Sequence, residues 1–147
     1  MMGGKYTTYR AMALECVRHV LPHLSRKLPG DQYYKVYGSY GEAEAHKRYV
    51  DVKAIGAKFE VHPDTVGYLM ALYGSRFEDV LQLTRNDHSL KARICPCSPA
   101  IRAQVVYAMR TEMAVSLEDI YDRRLGLGYN DCPTRQCRQV IGEMLKH

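Results

Sequence analysis

Apolar residues recur along much of the chain at intervals of three and four, the spacing of helices that each bury one face. Ala11, Leu14, Val17, Val20 and Leu21 set the first such stripe, which should end or kink at Pro22 and close at Leu28-Pro29-Gly30. Val66, Leu69, Met70 and Tyr73 set a second, entered at Pro63 and stopped at Gly74. Ser75 with Glu78 reads as a capping box for a third helix that carries Phe77, Val80 and Leu81. Beyond Cys95-Pro96-Cys97, Ser98-Pro99 should open a helix with Ile101, Val105, Ala108 and Met109 on one face. Ser116 with Asp119 caps the next, which runs out at Gly126 and Gly128. A last helix starts near Pro133 and buries Val140, Ile141 and Met144.

Residues 31 to 62 break this regularity. Tyr33, Tyr34, Tyr37, Tyr40 and Tyr49 are scattered there among Gly, Lys and Glu, which predicts irregular chain with a short helix near 41 to 49 and a few residues of strand around Val50 to Phe59. The expected fold is therefore all-α: a glycine-rich loop and helix over 1–30, a Tyr-rich linker over 31–62, and a small helical bundle over 63–147.

Composition changes this picture little. With 147 residues, 46% hydrophobic and 25% charged, the chain has room for one modest core and no signature of disorder. No apolar run approaches the twenty or so residues that span a bilayer. Met1-Met2-Gly3-Gly4 offers no charged-then-apolar leader, so the expected location is intracellular. Of the net charge of +5, most sits in the first 62 residues, where ten Lys and Arg face six Asp and Glu. An excess of that size reads as solubility before it reads as a nucleic-acid surface. Tyr33, Tyr34, Tyr37, Tyr40 and Tyr49, interleaved with Lys35, Lys47 and Arg48, leave open a stacking surface for single strands; tyrosines lying over a neighbouring domain with their hydroxyls in water explain them more simply.

Three separated stretches, taken in order, resemble one family. Gly3-Gly4-Lys5-Tyr6-Thr7-Thr8-Tyr9-Arg10 is followed by Leu72-Tyr73-Gly74-Ser75-Arg76, and then by Gln104 to Ala114 running through Leu117-Glu118-Asp119 to Arg123-Arg124. Each is similar to a segment of the FAD-dependent glycerol-3-phosphate dehydrogenases. The resemblance implies that Gly3, Gly4, Lys5, Thr7 and Thr8 line the isoalloxazine of FAD, with Lys5 also near the substrate. The chemistry suits them: glycines let backbone amides approach a ligand closely, and a helix start gathers unpaired N–H groups and partial positive charge. The 1–30 segment is then the remnant of an FAD-binding domain, and 63–147 the family's C-terminal helical domain. No Gly-x-Gly-x-x-Gly follows a strand here, so the dinucleotide-binding unit must be missing or supplied by another chain. No catalytic residue is expected to act in this chain alone. Any membrane contact would be peripheral, at an energy-transducing membrane.

Cys95-x-Cys97 and Cys132-x4-Cys137 lie 34 residues apart. Four thiolates on tight loops at the two ends of a helical unit can converge on one metal. The arrangement resembles the bacterioferritin-associated-ferredoxin type of [2Fe-2S] domain; tetrahedral zinc is the other metal reading, and buried cysteines acting as small hydrophobes the non-metal one. Cys16, on the first helix, is expected to be a core residue. Two further functions stay open beside the flavoenzyme fragment: a free-standing electron-transfer or regulatory module built on the four cysteines, and a basic helical module for nucleic acid or an anionic membrane.

Overall fold

The computed structural model describes residues 6–24, 36–40, 51–129 and 135–146. They fall into two units, Met1–Lys35 and Val36–His147. In the first, a 3₁₀ turn (Tyr6–Thr8) leads into α1 (Tyr9–Val20), and the chain turns through a second 3₁₀ segment, Leu21–Leu24, at Pro22, as the sequence predicts. No residue of α1 is buried, and Val17 and Val20 are 42% and 48% exposed. Among the described residues, the stripe that periodicity assigns to a core is therefore not buried.

Among its described residues, every regular element of the second unit is helical. It contains α2 (Val52–Phe59), α3 (Pro63–Tyr73), α4 (Phe77–Asn86), α5 (Arg102–Thr111), a π-helical segment (Asp119–Arg124) and α6 (Arg135–Met144). Helix α2 corrects the strand expected around Val50 to Phe59. Asp51 starts it by accepting the N–H groups of Lys53 (2.9 Å) and Ala54 (3.2 Å), and Val52, Ile55 and Phe59 face α3 and α4 at helical spacing. Glu60, left-handed at φ 56°, ends it by sending the Val61 N–H back to the Gly56 carbonyl.

Helix α3 begins and ends where Pro63 and Gly74 predict. The Ser75–Glu78 capping box does not form. Gly74 instead adopts φ 54° and lies so close to Gly38 that a Cβ would strike the Gly38 carbonyl; the Ser75 N–H donates to that carbonyl (2.8 Å) and the Ser75 hydroxyl to the Ser39 carbonyl (3.1 Å). Ser75 therefore holds the 36–40 segment rather than the start of α4.

Two hydrophobic clusters share α5 between them. Ala103 and Tyr107 face Phe59, Leu69, Phe77 and Leu81, while Val105 and Ala108 face Ile120, Leu125 and Ile141. A helix apolar on two sides belongs in the middle of its domain. Ile101 departs from the expected face: it is extended, bridges Arg93 and packs with the first cluster, so α5 starts at Arg102 rather than at Ser98-Pro99.

Ser116 and Asp119 cap each other as the sequence predicts. The Asp119 N–H donates to the Ser116 hydroxyl (3.1 Å), and the Asp119 carboxylate accepts the N–H groups of Val115 (3.1 Å) and Ser116 (3.0 Å). The Val115 amide first, then Ser116, hold this carboxyl down at about 2. A folded-state value below the unfolded one, about 3.9, stabilises the fold above that pH and is lost as pH falls toward 2. Asp119→Asn should therefore lower stability at pH 7, and denaturant titrations of the two proteins should converge as the pH is lowered through that window.

Met113 carries the other left-handed non-glycine residue among those described, φ 56°, with its side chain 87% exposed. It turns the chain after α5 so that the Ala114 N–H meets the Ala108 carbonyl at 3.1 Å. Met113→Gly should stabilise the domain by about 0.5–1 kcal/mol, read as a rise in denaturation midpoint with unchanged slope, because glycine adopts this conformation without a Cβ penalty.

Candidate functional site

Of the flavin-facing residues expected from the sequence, Gly3, Gly4 and Lys5 lie outside the described residues, while Thr7 and Thr8 occupy the turn that leads into α1. Both threonines are exposed. Thr8 is the N-cap position but does not cap through its side chain, and the first turn contains no acidic residue. Cys16 is half-buried rather than a core residue and is the free cysteine among those described. His19 and His23, four residues apart, are exposed.

The second unit gathers the other candidates. Cys95 and Cys137, from the loop before α5 and the first turn of α6, form a disulfide with their Cα atoms 5.4 Å apart. The Cys97 Sγ lies 2.7 Å from the Cys95 Sγ and 3.8 Å from the Cys137 Sγ. All three sulfurs fall within 4.8 Å of one another. Cys132 lies outside the described residues, so three of the four expected thiols are seen to converge.

The loop that carries Cys95 and Cys97 is fixed on all sides. The Ile94 N–H donates to the Ala100 carbonyl and the Arg102 N–H to the Ala92 carbonyl, each at 2.9 Å, which closes residues 92–102 into a clasp. The buried Thr65 hydroxyl donates to the Pro99 carbonyl (3.0 Å), and the Ser98 hydroxyl accepts the Ala100 N–H (3.2 Å). Arg93 donates to both oxygens of Asp64, at 2.8 and 2.6 Å, tying the loop to the start of α3. Burial of Asp64 would raise its pKa, but the hydrogen bonds from His62 and Arg93 outweigh this and hold it below the usual carboxylate range. On the other side, Arg138 reaches Glu118 (2.9 Å) and lies over the Tyr121 ring, which seats α6 against the π-helical segment.

A polar seam runs from α3 to the end of α5. Buried Gln104 accepts the Ile101 N–H (3.0 Å) and donates to the Tyr73 hydroxyl (3.5 Å); the Tyr73 ring meets Tyr107 edge-on with centroids 5.3 Å apart, and the Tyr107 and Tyr37 hydroxyls share a 2.7 Å hydrogen bond. Burial raises the Tyr73 pKa, and burial with the Tyr37 contact raises that of Tyr107, so both stay neutral. Tyr37, under the Arg76 guanidinium at 4.9 Å, is thus engaged within its own unit rather than holding its hydroxyl in water. Tyr33, Tyr34 and Tyr49 lie outside the described residues. Arg110 is exposed. Arg124 donates to the Glu112 carbonyl (2.9 Å).

Comparison with known proteins gives the class of this helical domain. Residues 27–147 match the family described as the C-terminal domain of alpha-glycerophosphate oxidase, and the chain belongs to that family. It is 35% identical to a glycerol-3-phosphate dehydrogenase of Synechocystis over 86% of its length, and 31% identical over 97% to glycerol-3-phosphate dehydrogenase 2 of Mycobacterium tuberculosis. An alpha-glycerophosphate oxidase of Streptococcus pyogenes is 31% identical over the whole chain. The alignments cover 23%, 25% and 25% of these relatives, so the chain spans about a quarter of their length. No solved structure matches. Among the described residues no helix is long and apolar enough to cross a membrane.

Proposed function

We propose that this chain works as the C-terminal quarter of an FAD-dependent glycerol-3-phosphate dehydrogenase or oxidase, and that its first thirty residues complete the flavin site of that enzyme. The observation that carries this reading is family membership over 27–147, joined to a helix, α1, whose apolar stripe is not buried among the described residues. The remaining three quarters, on the same polypeptide or on a partner, would cover that stripe and supply the dinucleotide-binding unit. FAD, when bound there, supplies the hydride acceptor for oxidation of glycerol 3-phosphate at C2 to dihydroxyacetone phosphate.

The chain's own part is to bind and orient. Backbone amides of Gly3 and Gly4 approach the ring system closely because no side chain intervenes, and the Thr7 and Thr8 hydroxyls with the start of α1 offer donors to its polar edge. The Lys5 ammonium stabilises negative charge that develops there and on the substrate phosphate, a tuning of cofactor electronics rather than chemistry of its own. The enzyme works inside the cell, and contact with an energy-transducing membrane is peripheral. A [2Fe-2S] cluster or zinc on the cysteines would be a property of the helical domain, separate from the flavin contact.

The reading is tested by expressing the chain together with the first three quarters of a relative such as the Synechocystis enzyme, cut before the segment equivalent to Gly3. The two pieces should purify as a complex that retains yellow flavin. Two pieces that never associate, with flavin held equally well by the larger piece alone, would count against it.

A further inference from the structure

We propose that the pocket between α5, the turn after α4 and the end of α6 binds a singly charged organic acid with an apolar tail, a medium-chain fatty acid in kind, with its carboxylate on Arg102. This goes beyond the flavin reading and does not depend on it.

Helix α5 has a third face besides the two that fill the hydrophobic clusters. Arg102, Val106, Met109 and Arg110 are spaced so that they fall along one stripe of the helix. Together with Ser89 in the 3₁₀ turn His88–Lys91 and Met144 at the end of α6, that stripe lines a cavity of about 460 Å³. The volume is within the range of small-molecule sites.

Arg102 gives the reason for an anion. Its guanidinium Nε is buried with no hydrogen-bond partner among the described residues. A buried donor without an acceptor is costly, and a carboxylate offers two oxygens to the side of the planar fork formed by the Nε–H and one Nη–H. The charges in the lining set the valence. Arg102 and Arg110 are opposed by one carboxylate, Asp87. Hydrogen bonds from the Ser89 hydroxyl and from the Ser89 N–H (2.9 Å) hold Asp87 below the usual carboxylate range, so it is ionised. One added negative charge balances the pocket, and a phosphate dianion overshoots it.

The remaining walls call for a tail. Leu90, Val106, Met109 and Met144 are apolar, and methionine adapts its shape to what it packs against. Arg102 and Arg110 stand eight residues apart, about 12 Å along the helix. A carboxylate held at Arg102 therefore leaves room for a chain past Val106 and Met109 toward the exposed Arg110.

The test is calorimetric titration of the full chain near neutral pH with octanoate, acetate and octyl phosphate. Octanoate should bind at one site per chain, acetate at least about tenfold more weakly because it lacks the tail, and octyl phosphate more weakly than octanoate. Arg102→Gln should weaken octanoate at least about tenfold with unchanged helical circular dichroism. Arg110→Gln, at the exposed end, should weaken it less, and Arg18→Gln on α1 should leave it unaltered. In the parent, octanoate should shift the methyl resonances of Met109 and Met144, which locates the ligand without any variant. Absence of saturable octanoate binding to the folded parent would overturn the proposal, as would acetate or octyl phosphate binding as tightly as octanoate. So would methyl shifts confined to other methionines, or a folded Arg102→Gln variant of parental affinity.

Discussion

Leu81→Ala is expected to destabilise the helical unit by about 3 kcal/mol. Leu81 is fully buried on α4, in the cluster that joins α2, α3, α4 and α5. Truncation removes the transfer free energy of its methyl and methylene groups and leaves a cavity that helices packed on several sides cannot close. Domains of this kind are stable by roughly 5–15 kcal/mol in total, so the loss is a large fraction, and a melting temperature lower by about 10–15 °C should accompany it. Leu72→Ala, on the neighbouring helix but 43% exposed, should cost well under half as much. Thermal and denaturant unfolding of the three proteins, compared at equal slope, gives the measurement. Equal effects at the two leucines would mean that the cluster is not the core of the domain.

The second large effect concerns chemistry. In the assembled enzyme, Lys5→Ala should slow reduction of the flavin by glycerol 3-phosphate about 100-fold, the scale on which loss of one pre-positioned charge or donor at a developing anion is felt. On the proposed role, with the ammonium where negative charge grows on the cofactor, the rate constant for reduction should fall more than flavin occupancy does. Rapid mixing of substrate with the reconstituted complex separates the two, since flavin content is read before mixing and reduction afterwards. Lys5→Arg, which keeps the charge but not its compact shape, should recover part of the rate. A Lys5→Ala complex that reduces at the parent rate would remove Lys5 from the site.

Local punctuation was the readable part of this fold. Pro63 and Gly74 bound α3 because each acts on its own backbone, through a fixed φ in one case and access to positive φ in the other. Ser116 and Asp119 likewise meet across a single turn. Where a residue has a distant partner, the local reading fails. Ser75 and Glu78 have capping-box spacing, yet Ser75 is claimed by Gly38 and Ser39, more than thirty residues earlier. Val52 to Phe59 looks like a strand from its β-branched residues, although Asp51 as a cap and the 52, 55, 59 spacing were present to mark a helix.

The cysteine site divides in the same way. Pairing by spacing anticipated that Cys95, Cys97 and Cys137 would meet. Nothing in the sequence marked Thr65, Asp64 and Arg93 as the residues that hold their loop, because those contacts join α3 to a segment about thirty positions later. The resemblance of the first and third stretches to one family was the most specific signal in the chain. It was legible because specific residue types in a fixed order, as in Gly3 to Arg10 and Gln104 to Arg124, say more than hydrophobic periodicity does.

The central claim is that this chain completes a flavin site it does not contain alone. Its most direct test is the absorbance of flavin in the complex of this chain with the FAD-bearing portion of a relative, followed without oxygen as glycerol 3-phosphate is added. The account predicts that the flavin band bleaches in the complex and stays unchanged when either piece is mixed with substrate alone. Bleaching of equal rate and extent by the FAD-bearing portion without this chain would contradict it.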